Sequence, residues 1–121
     1  DNIDIITELD YATSKNGSFI YSFIEHVSNI DISKIKYNKD EVSELFYVPL
    51  SFFLENEPQK SYVSYYAQTD EDFPVHMINN GEGYDWGSIR NSVYFYNYKN
   101  YIIWGLTAKI TYNLIKKIKK I

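Results

Sequence analysis

The chain has 121 residues, of which 45% are hydrophobic and 18% aromatic, a composition typical of one globular domain. Its formal net charge of -4 argues against a protein that binds nucleic acid through phosphate contacts. The absence of cysteine excludes disulfides, thiolate zinc sites and a cysteine nucleophile, and it fits a cytoplasmic protein. No apolar run in the sequence approaches the roughly 20 residues of a membrane span, so no membrane contact is expected.

Short strands and turns are predicted for the N-terminal part. The apolar residues at 3–9 predict a first strand. The polar cluster at 14–18 contains Asn16-Gly17, which is a strong hairpin signal. Residues 19–27 are dense in aromatic and branched side chains and predict the next strand.

The middle of the chain continues this pattern after a polar connection at residues 31–40. Residues 41–48 predict a buried strand, which Pro49 ends because proline has no N–H to donate. A helical turn is predicted at 51–54, followed by a strand at 60–67.

The C-terminal part is predicted to hold a long loop, a strand and one substantial helix. Residues 68–91 are turn-rich, and 92–98 predict the last strand. The helix is predicted to begin near Ile102 or Ile103, with Gly105 allowing its close approach to a strand. Its apolar stripe recurs at i, i+4 and consists of Leu106, Ile110, Leu114 and Ile118.

These elements predict an α+β fold, with a mixed, mostly antiparallel sheet and one long C-terminal helix, in a single domain of residues 1–121. One helix covers only one face of such a sheet, so the fold is short of a helix. The chain also begins with Asp1-Asn2 instead of methionine. We therefore expect an incomplete domain whose preceding sequence is missing, although a complete gene product stays open.

Two segments carry a family resemblance: residues 41–50, EVSELFYVPL, and residues 101–108, YIIWGLTA. Further matching segments are residues 8–14 with 19–24, the NKDEV of residues 38–42, and the FPVH of residues 73–76. In this order and at this separation they resemble the C-terminal half of a Nudix hydrolase of the coenzyme A diphosphatase type. The resemblance covers nearly the whole chain, and it implies the C-terminal part of an α/β/α Nudix sandwich.

The resemblance also implies an activity and its cofactors. Coenzyme A diphosphatases use Mg²⁺ or Mn²⁺ to split the diphosphate of coenzyme A into 3',5'-ADP and 4'-phosphopantetheine. A related nucleoside diphosphate derivative, such as ADP-ribose, would use the same machinery. The chain departs from the family in lacking the Nudix box, Gly-x5-Glu-x7-Arg-Glu-U-x-Glu-Glu-x-Gly-U, since its only arginine is Arg90, followed by Asn91. We therefore expect this chain alone to be inactive and to bind no metal.

Glu41 is the candidate catalytic residue and candidate metal ligand. It matches the acid that lies outside the Nudix box in the family, where it binds metal or acts as general base. The alternative is a solvated acid beside Asp40 and Glu44. Asn38 would then shape the loop by capping backbone groups near Glu41, and the alternative is an ordinary turn asparagine.

Other polar and aromatic residues are assigned structural or surface roles. His26 and His76 have no spacing that supports a catalytic arrangement, and the acids at residues 70–72 lack the alternation of a calcium loop. Trp104 is predicted to pack in the core at the helix start. The lysines of the last helix complement its dipole, with an anion site as the weaker alternative. The 13 tyrosines are assigned to packing, because a stacking role would require them to share one face.

The expected partner is coenzyme A or another nucleoside diphosphate derivative, without nucleic acid or membrane, and a homodimer stays open. The alternative function is a non-catalytic binding or interaction module that retains a Nudix-like frame. A third possibility is an unrelated α+β domain that binds through aromatic surface. A Glu-rich helix signature in the upstream reading frame would favour the enzyme.

Overall fold

A computed structural model describes residues 3–14 and 16–120, and the side chains of residues 7–14 and 16–120. Asp1-Asn2, at the start of the chain, and Lys15, in the predicted turn, lie outside the described residues. The described fold contains seven strands and two α-helices, and every strand pair in it is antiparallel. The α+β class, the antiparallel sheets and the long C-terminal helix are thus as predicted.

The N-terminal strands form two small antiparallel ladders. β1 (Ile3–Glu8) pairs with β4 (Phe23–Val27), and β2 (Ala12–Thr13) pairs with β3 (Phe19–Ile20). The hairpin predicted at Asn16-Gly17 joins β2 to β3, with Gly17 at a φ of 84°. The single strand predicted at 19–27 is divided into β3 and β4.

A three-stranded meander and the last helix form the main packing unit. α1 (Leu50–Glu55) precedes β5 (Gln59–Tyr66), which pairs with β6 (Ser88–Tyr98); β6 pairs in turn with β7 (Tyr101–Trp104). α2 (Gly105–Lys119) follows β7 directly and packs against β6 and β7.

The strand predicted at 41–48 was wrong. Residues 39–41 form a turn, and 44–49 have no regular secondary structure. The carbonyl oxygen of Asn38 accepts hydrogen bonds from the backbone of Glu41 (3.2 Å) and of Val42 (2.8 Å), which curls the chain where a strand would begin. The apolar run of residues 45–48 therefore lies outside any ladder, and Leu45, Phe46 and Tyr47 are exposed instead of buried.

The prediction of a helix start at Ile102 or Ile103 was also wrong, because residues 101–104 form β7. Their aromatic and β-branched side chains suit a strand, and Lys99, at a φ of 53°, turns the chain back from β6. Gly105 then has a φ of 64°, with no atom within 4 Å of an added Cβ. The left-handed backbone of the strand-to-helix turn, and not close helix packing, is the reason for this glycine.

The apolar stripe of α2 is rotated from the predicted one. The buried residues of the helix are Ala108 and Ile115, whereas Leu106 is 39% exposed. A row of i, i+4 positions winds around a helix by about 40° per step, since 3.6 residues make one turn. The four predicted positions therefore cannot all face the sheet.

The two faces of the meander are packed differently. On the covered face, Tyr96 is 2% exposed, and its ring lies 4.9 Å from Phe53 and 6.5 Å from Phe52 of α1. Strand alternation places Ile89, Phe95 and their cross-strand neighbours on the open face. There Ile89 is 65%, Ile102 54% and Trp104 61% exposed. The prediction that Trp104 packs in the core was wrong; it stacks on Phe95 at 5.9 Å on the open face.

The accessible surface of the chain is large for its mass. It measures 10272 Å², whereas the size scaling of compact monomers gives about 6,800 Å² for a chain of 14.3 kDa. The open face contributes part of this excess. Within the described residues, no helix combines the length and the apolar character that crossing a bilayer requires.

Replacing Tyr96 with phenylalanine tests the packing of the covered face. The Tyr96 hydroxyl is buried and has no hydrogen-bond partner among the described residues, so its removal should raise the free energy of unfolding by about 1 kcal/mol. Burial, and then the charge of Glu57, raises the pKa of Tyr96 to about 12. Because an unfolded tyrosine ionises near pH ~10, wild-type stability should fall as pH rises from about 10 towards 12.

In urea unfolding, the free energy of unfolding of Tyr96→Phe should decrease less at alkaline pH than that of the wild type. The matched control is Tyr66→Phe, at a site 78% exposed. It should change neither the free energy of unfolding nor its decrease at alkaline pH. Equal alkaline profiles for Tyr96→Phe and the wild type would contradict a buried Tyr96.

Substitution of Gly105 tests the strand-to-helix turn. An alanine at a φ of 64° should lower the free energy of unfolding by about 1–2 kcal/mol. Asparagine adopts the left-handed backbone conformation more readily than alanine does, so Gly105→Asn should lower the free energy of unfolding by less than Gly105→Ala. Thermal unfolding of the wild type and both variants measures the order of their stabilities. An alanine variant as stable as the wild type would refute the left-handed turn.

Candidate functional site

The candidate acid Glu41 lies on a turn that Asn38 shapes. The Asn38 side-chain oxygen accepts a hydrogen bond from the backbone N–H of Asp40 at 3.0 Å. Together with the two bonds to the Asn38 carbonyl, this contact fixes residues 38–42 as a compact turn, as predicted for Asn38. The turn leaves the Glu41 side chain exposed to solvent.

Contacts made just after this turn attach it to the meander. Phe46 stacks on Tyr101 with ring centroids 4.0 Å apart and an interplanar angle of 8°. The Tyr101 hydroxyl donates to the Glu44 carboxylate at 3.4 Å, a long hydrogen bond. Tyr101 begins β7, so Glu44 and Phe46, which follow the Glu41 turn, lie against the hairpin end of the sheet.

The described residues do not complete a metal site around Glu41. No group of three or more histidine, aspartate or glutamate side chains converges anywhere in the described part of the chain. Mg²⁺ and Mn²⁺ favour several oxygen ligands, and one exposed carboxylate supplies too few of them. Glu41 by itself therefore does not fit a metal centre, and a complete ligand set would need further carboxylates.

The remaining predicted polar residues are dispersed over the surface. His26 lies in β4 and His76 in a short 3₁₀ helix, and both are exposed. The acids of residues 70–72 are exposed as well. In α2, Lys119 pairs with Glu57 at 3.3 Å, and Lys117 donates to the Glu8 carbonyl at 2.8 Å. These two lysines therefore join the helix to neighbouring segments.

A second cluster, which the sequence did not reveal, alternates cations with tyrosine rings. The Arg90 guanidinium lies 3.8 Å from the Tyr62 ring centroid, and the Lys60 ammonium lies 5.5 Å from the same centroid. Lys60 also lies 5.8 Å from the Tyr94 ring. Tyr94 contacts Tyr112 at 5.0 Å, and the Lys116 ammonium lies 4.9 Å from the Tyr112 ring. We call this cluster the cation–tyrosine ladder; it consists of Arg90, Tyr62, Lys60, Tyr94, Tyr112 and Lys116.

Strand register and helix periodicity assemble the ladder. Lys60 lies opposite Tyr94 across β5 and β6, and Arg90 lies opposite Ser64, diagonal to Tyr62. Tyr112 and Lys116 are i, i+4 neighbours on α2. The alternate spacing of Lys60 and Tyr62 was visible in the sequence, but only the pairing register brings them to Arg90 and Tyr94.

Comparisons of the chain with protein-family models, curated proteins and solved structures found no match.

Changes at Tyr101 test the attachment of the Glu41 turn to the sheet. Tyr101→Leu removes both the ring stack and the hydroxyl donor, so residues 38–48 should exchange amide hydrogens faster and be cleaved sooner by trypsin at Lys39. Tyr101→Phe keeps the stack and loses only one exposed hydrogen bond, so we expect it to lose at most about 0.5 kcal/mol of local stability. Equal protection in the wild type and Tyr101→Leu would show that this contact does not hold the turn.

Proposed function

We propose that this chain is the C-terminal part of a Nudix hydrolase that cleaves the diphosphate of coenzyme A, or of a related nucleoside diphosphate derivative. The observation that carries the proposal is the placement of Glu41. The residue that matches the family's acid lies exposed on a turn, and Tyr101 of the sheet holds the segment that follows it. A general base must come within hydrogen-bond reach of the water whose proton it accepts, and an exposed carboxylate is open to such a water.

The open face of the meander supports the same proposal. An α/β/α sandwich has helices on both faces of its sheet, whereas α2 and α1 pack on the covered face alone. The exposed Ile89, Ile102 and Trp104 form the apolar surface on which a further helix of the extended protein would pack.

Glu41 is assigned the role of general base in the extended protein. Its carboxylate accepts a proton from the attacking water as that water adds to a phosphorus of the diphosphate, and the bond to the leaving phosphate breaks. Mg²⁺ or Mn²⁺, held by carboxylates of the Nudix box, would neutralise the diphosphate charge. The short chain is expected to be inactive because the described residues do not supply those ligands.

The alternative is a non-catalytic binding or interaction module. The exposed Ile89, Ile102 and Trp104 suit this alternative as well, because an exposed apolar patch can mark a protein–protein interaction site. It differs from the enzyme in one measurable respect, since a binding module needs no metal and turns nothing over.

The test is a metal-dependent assay of the short chain and of the extended product of the reading frame, with coenzyme A and ADP-ribose as substrates. The extended protein should release 3',5'-ADP from coenzyme A in the presence of Mg²⁺ or Mn²⁺. Glu41→Gln in that protein should lower kcat by about 10²-fold or more, because it removes proton transfer. Its midpoint of thermal unfolding should stay unchanged, because Glu41 is exposed.

Asp40→Asn, an adjacent change of equal charge, serves as the matched control and should leave kcat within about twofold, since Asp40 has no assigned proton-transfer role. Turnover by the short chain, or a Glu41→Gln variant as active as Asp40→Asn, would count against the proposal. An inactive extended protein would favour the binding module.

A further inference from the structure

The first strand of the meander, β5, has a free outer edge. The strand order is β5–β6–β7, so β6 pairs with one side of β5 only. All residues of β5 are paired, from Gln59 opposite Phe95 to Tyr66 opposite Ser88, and the register has no bulge. Within the described residues, the backbone of 59–66 makes no backbone hydrogen bond beyond this pairing. Because successive residues of an antiparallel strand direct their N–H and C=O groups to alternate sides, the outer side of β5 carries a row of unpaired donors and acceptors.

β5 lacks the features with which proteins usually protect a free edge. Protected edges are short, bulged or interrupted by proline, or they carry several charged side chains. β5 is eight residues long, contains no proline, and has Lys60 as its single charged residue. Its residues are exposed except for the half-buried Ser61, so the described part of the chain does not cover the strand. The opposite edge of the meander is β7, which has four residues and continues directly into α2.

The side chains of β5 favour pairing with another strand. Residues 61–66 read SYVSYY, a segment without charge and rich in aromatic and β-branched side chains. Segments of about six residues with high strand propensity, low charge and no proline pair readily between chains. A free edge of this composition risks open-ended association unless one partner occupies it. A symmetric pair of such edges closes both of them at once.

We propose that β5 pairs antiparallel with β5 of a second copy of this chain, about a twofold axis at Val63, and thereby joins two meanders into one continuous sheet. A twofold axis perpendicular to the sheet leaves each side chain on its own face, so only residues of the same face meet across it. The pairs at this register are Val63 with Val63, Tyr62 with Ser64, Ser61 with Tyr65, and Lys60 with Tyr66. Aromatic or β-branched side chains, hydroxyl groups, and a cation beside a ring are favourable neighbours across two strands.

The positions of the charge and of the nearest proline favour this pairing. Because Lys60 lies near the start of β5, antiparallel pairing separates the two Lys60 side chains by six residues, or roughly 20 Å along the strands. A parallel pair in register would place these like charges side by side. An axis at Tyr62 would bring Pro58, which has no N–H to donate, opposite Tyr66. An axis at Val63 keeps Pro58 outside the paired residues.

A second copy is a better partner for this edge than an unrelated peptide. Its strand is already ordered by β6, whereas an extended peptide loses conformational entropy when it binds. The second copy also presents the same unpaired groups at the same spacing along all of β5. Acids elsewhere give the chain its net charge of -4, but β5 itself has none. Exposed charges are screened beyond about 8 Å at physiological salt, so repulsion between the copies does not prevent pairing at this edge.

This pairing is independent of the proposed hydrolase function. It uses the outer edge of β5, whereas Tyr101, which holds the segment after the Glu41 turn, lies on β7 at the opposite edge. Both faces of the meander stay as they are in the single chain. An inactive extended protein would therefore leave the association of the 121-residue chain unaffected, and a monomeric chain would leave the Glu41→Gln comparison intact.

The first experiment is sedimentation equilibrium of the 121-residue chain. Because the contact of one strand pair is small and should be weak, the concentration is raised to roughly 100 µM. We expect a reversible monomer–dimer equilibrium, with a dimer of twice the 14.3 kDa mass of the chain. The dimer should not weaken when NaCl is raised, because no ion pair holds it together. A monomer at every concentration, or species larger than a dimer, would overturn the proposal.

Single-cysteine variants test the register, because the chain has no cysteine of its own. Residues directly opposite on antiparallel strands have Cα atoms about 4.5–5.5 Å apart, which a disulfide can span. Val63→Cys, at an exposed site on the axis, should therefore form a disulfide-linked dimer under mild oxidation. Ser61→Cys is the matched control on the same face of β5. Its two copies would lie roughly 13 Å apart along the strands, so it should cross-link at least tenfold more slowly. Equal rates for these two variants, or faster cross-linking of Tyr62→Cys than of Val63→Cys, would refute the register.

Charged variants distinguish the edge from the open face of the sheet. Val63→Lys places two like charges directly opposite each other and should weaken the dimer at least tenfold. Ile89→Lys is the control, since Ile89 is 65% exposed on the open face but lies on β6, away from the edge. It should leave the dimer unchanged. Loss of the dimer in Ile89→Lys, or a Val63→Lys dimer as stable as the wild type, would overturn the proposal. Circular dichroism at low protein concentration checks that each variant is folded.

Discussion

The packing of α2 and α1 against one face of the β5–β6–β7 meander is the constraint on which the rest of the structure depends. Tyr96, Ala108 and Ile115 are the buried residues of this contact, and the rings of Phe52 and Phe53 close it at one end. Because this packing fixes the sheet and the helix relative to each other, it decides which side chains meet on the covered face. It also leaves Ile89, Ile102 and Trp104 exposed on the second face of the sheet.

Both candidate surfaces follow from that arrangement. The Glu41 turn is held at the hairpin end through Tyr101, and the cation–tyrosine ladder runs from the sheet onto α2 near Arg90. One surface carries the exposed carboxylate of Glu41, and the other carries cations beside tyrosine rings.

Several elements were predictable because local residue chemistry decides them. The turn at Asn16-Gly17, the helix after Pro49, the strand β5 and residues 92–98 of β6 follow from turn residues and from aromatic and β-branched runs. The first part of β6, residues 88–91, was predicted as loop, and that prediction was wrong. The Asn38 turn was predicted from the hydrogen-bonding habit of asparagine, but the strand predicted after it was wrong. The apolar residues 45–48 are compatible with a strand and equally with a segment outside any sheet, in which Phe46 stacks on Tyr101. Hydrophobic periodicity does not distinguish these two structures.

The sequence by itself determined the α+β class, the antiparallel hairpins and the presence of one long amphipathic C-terminal helix, since these depend on neighbours within a few residues. Only the tertiary structure decided that Gly105 serves a left-handed turn, that Trp104 lies on the open face, and that six residues from β5, β6 and α2 form the cation–tyrosine ladder. The physical reason is that strand register and helix rotation are set by burial against distant segments, and a shift of one residue would move each of these side chains to another face.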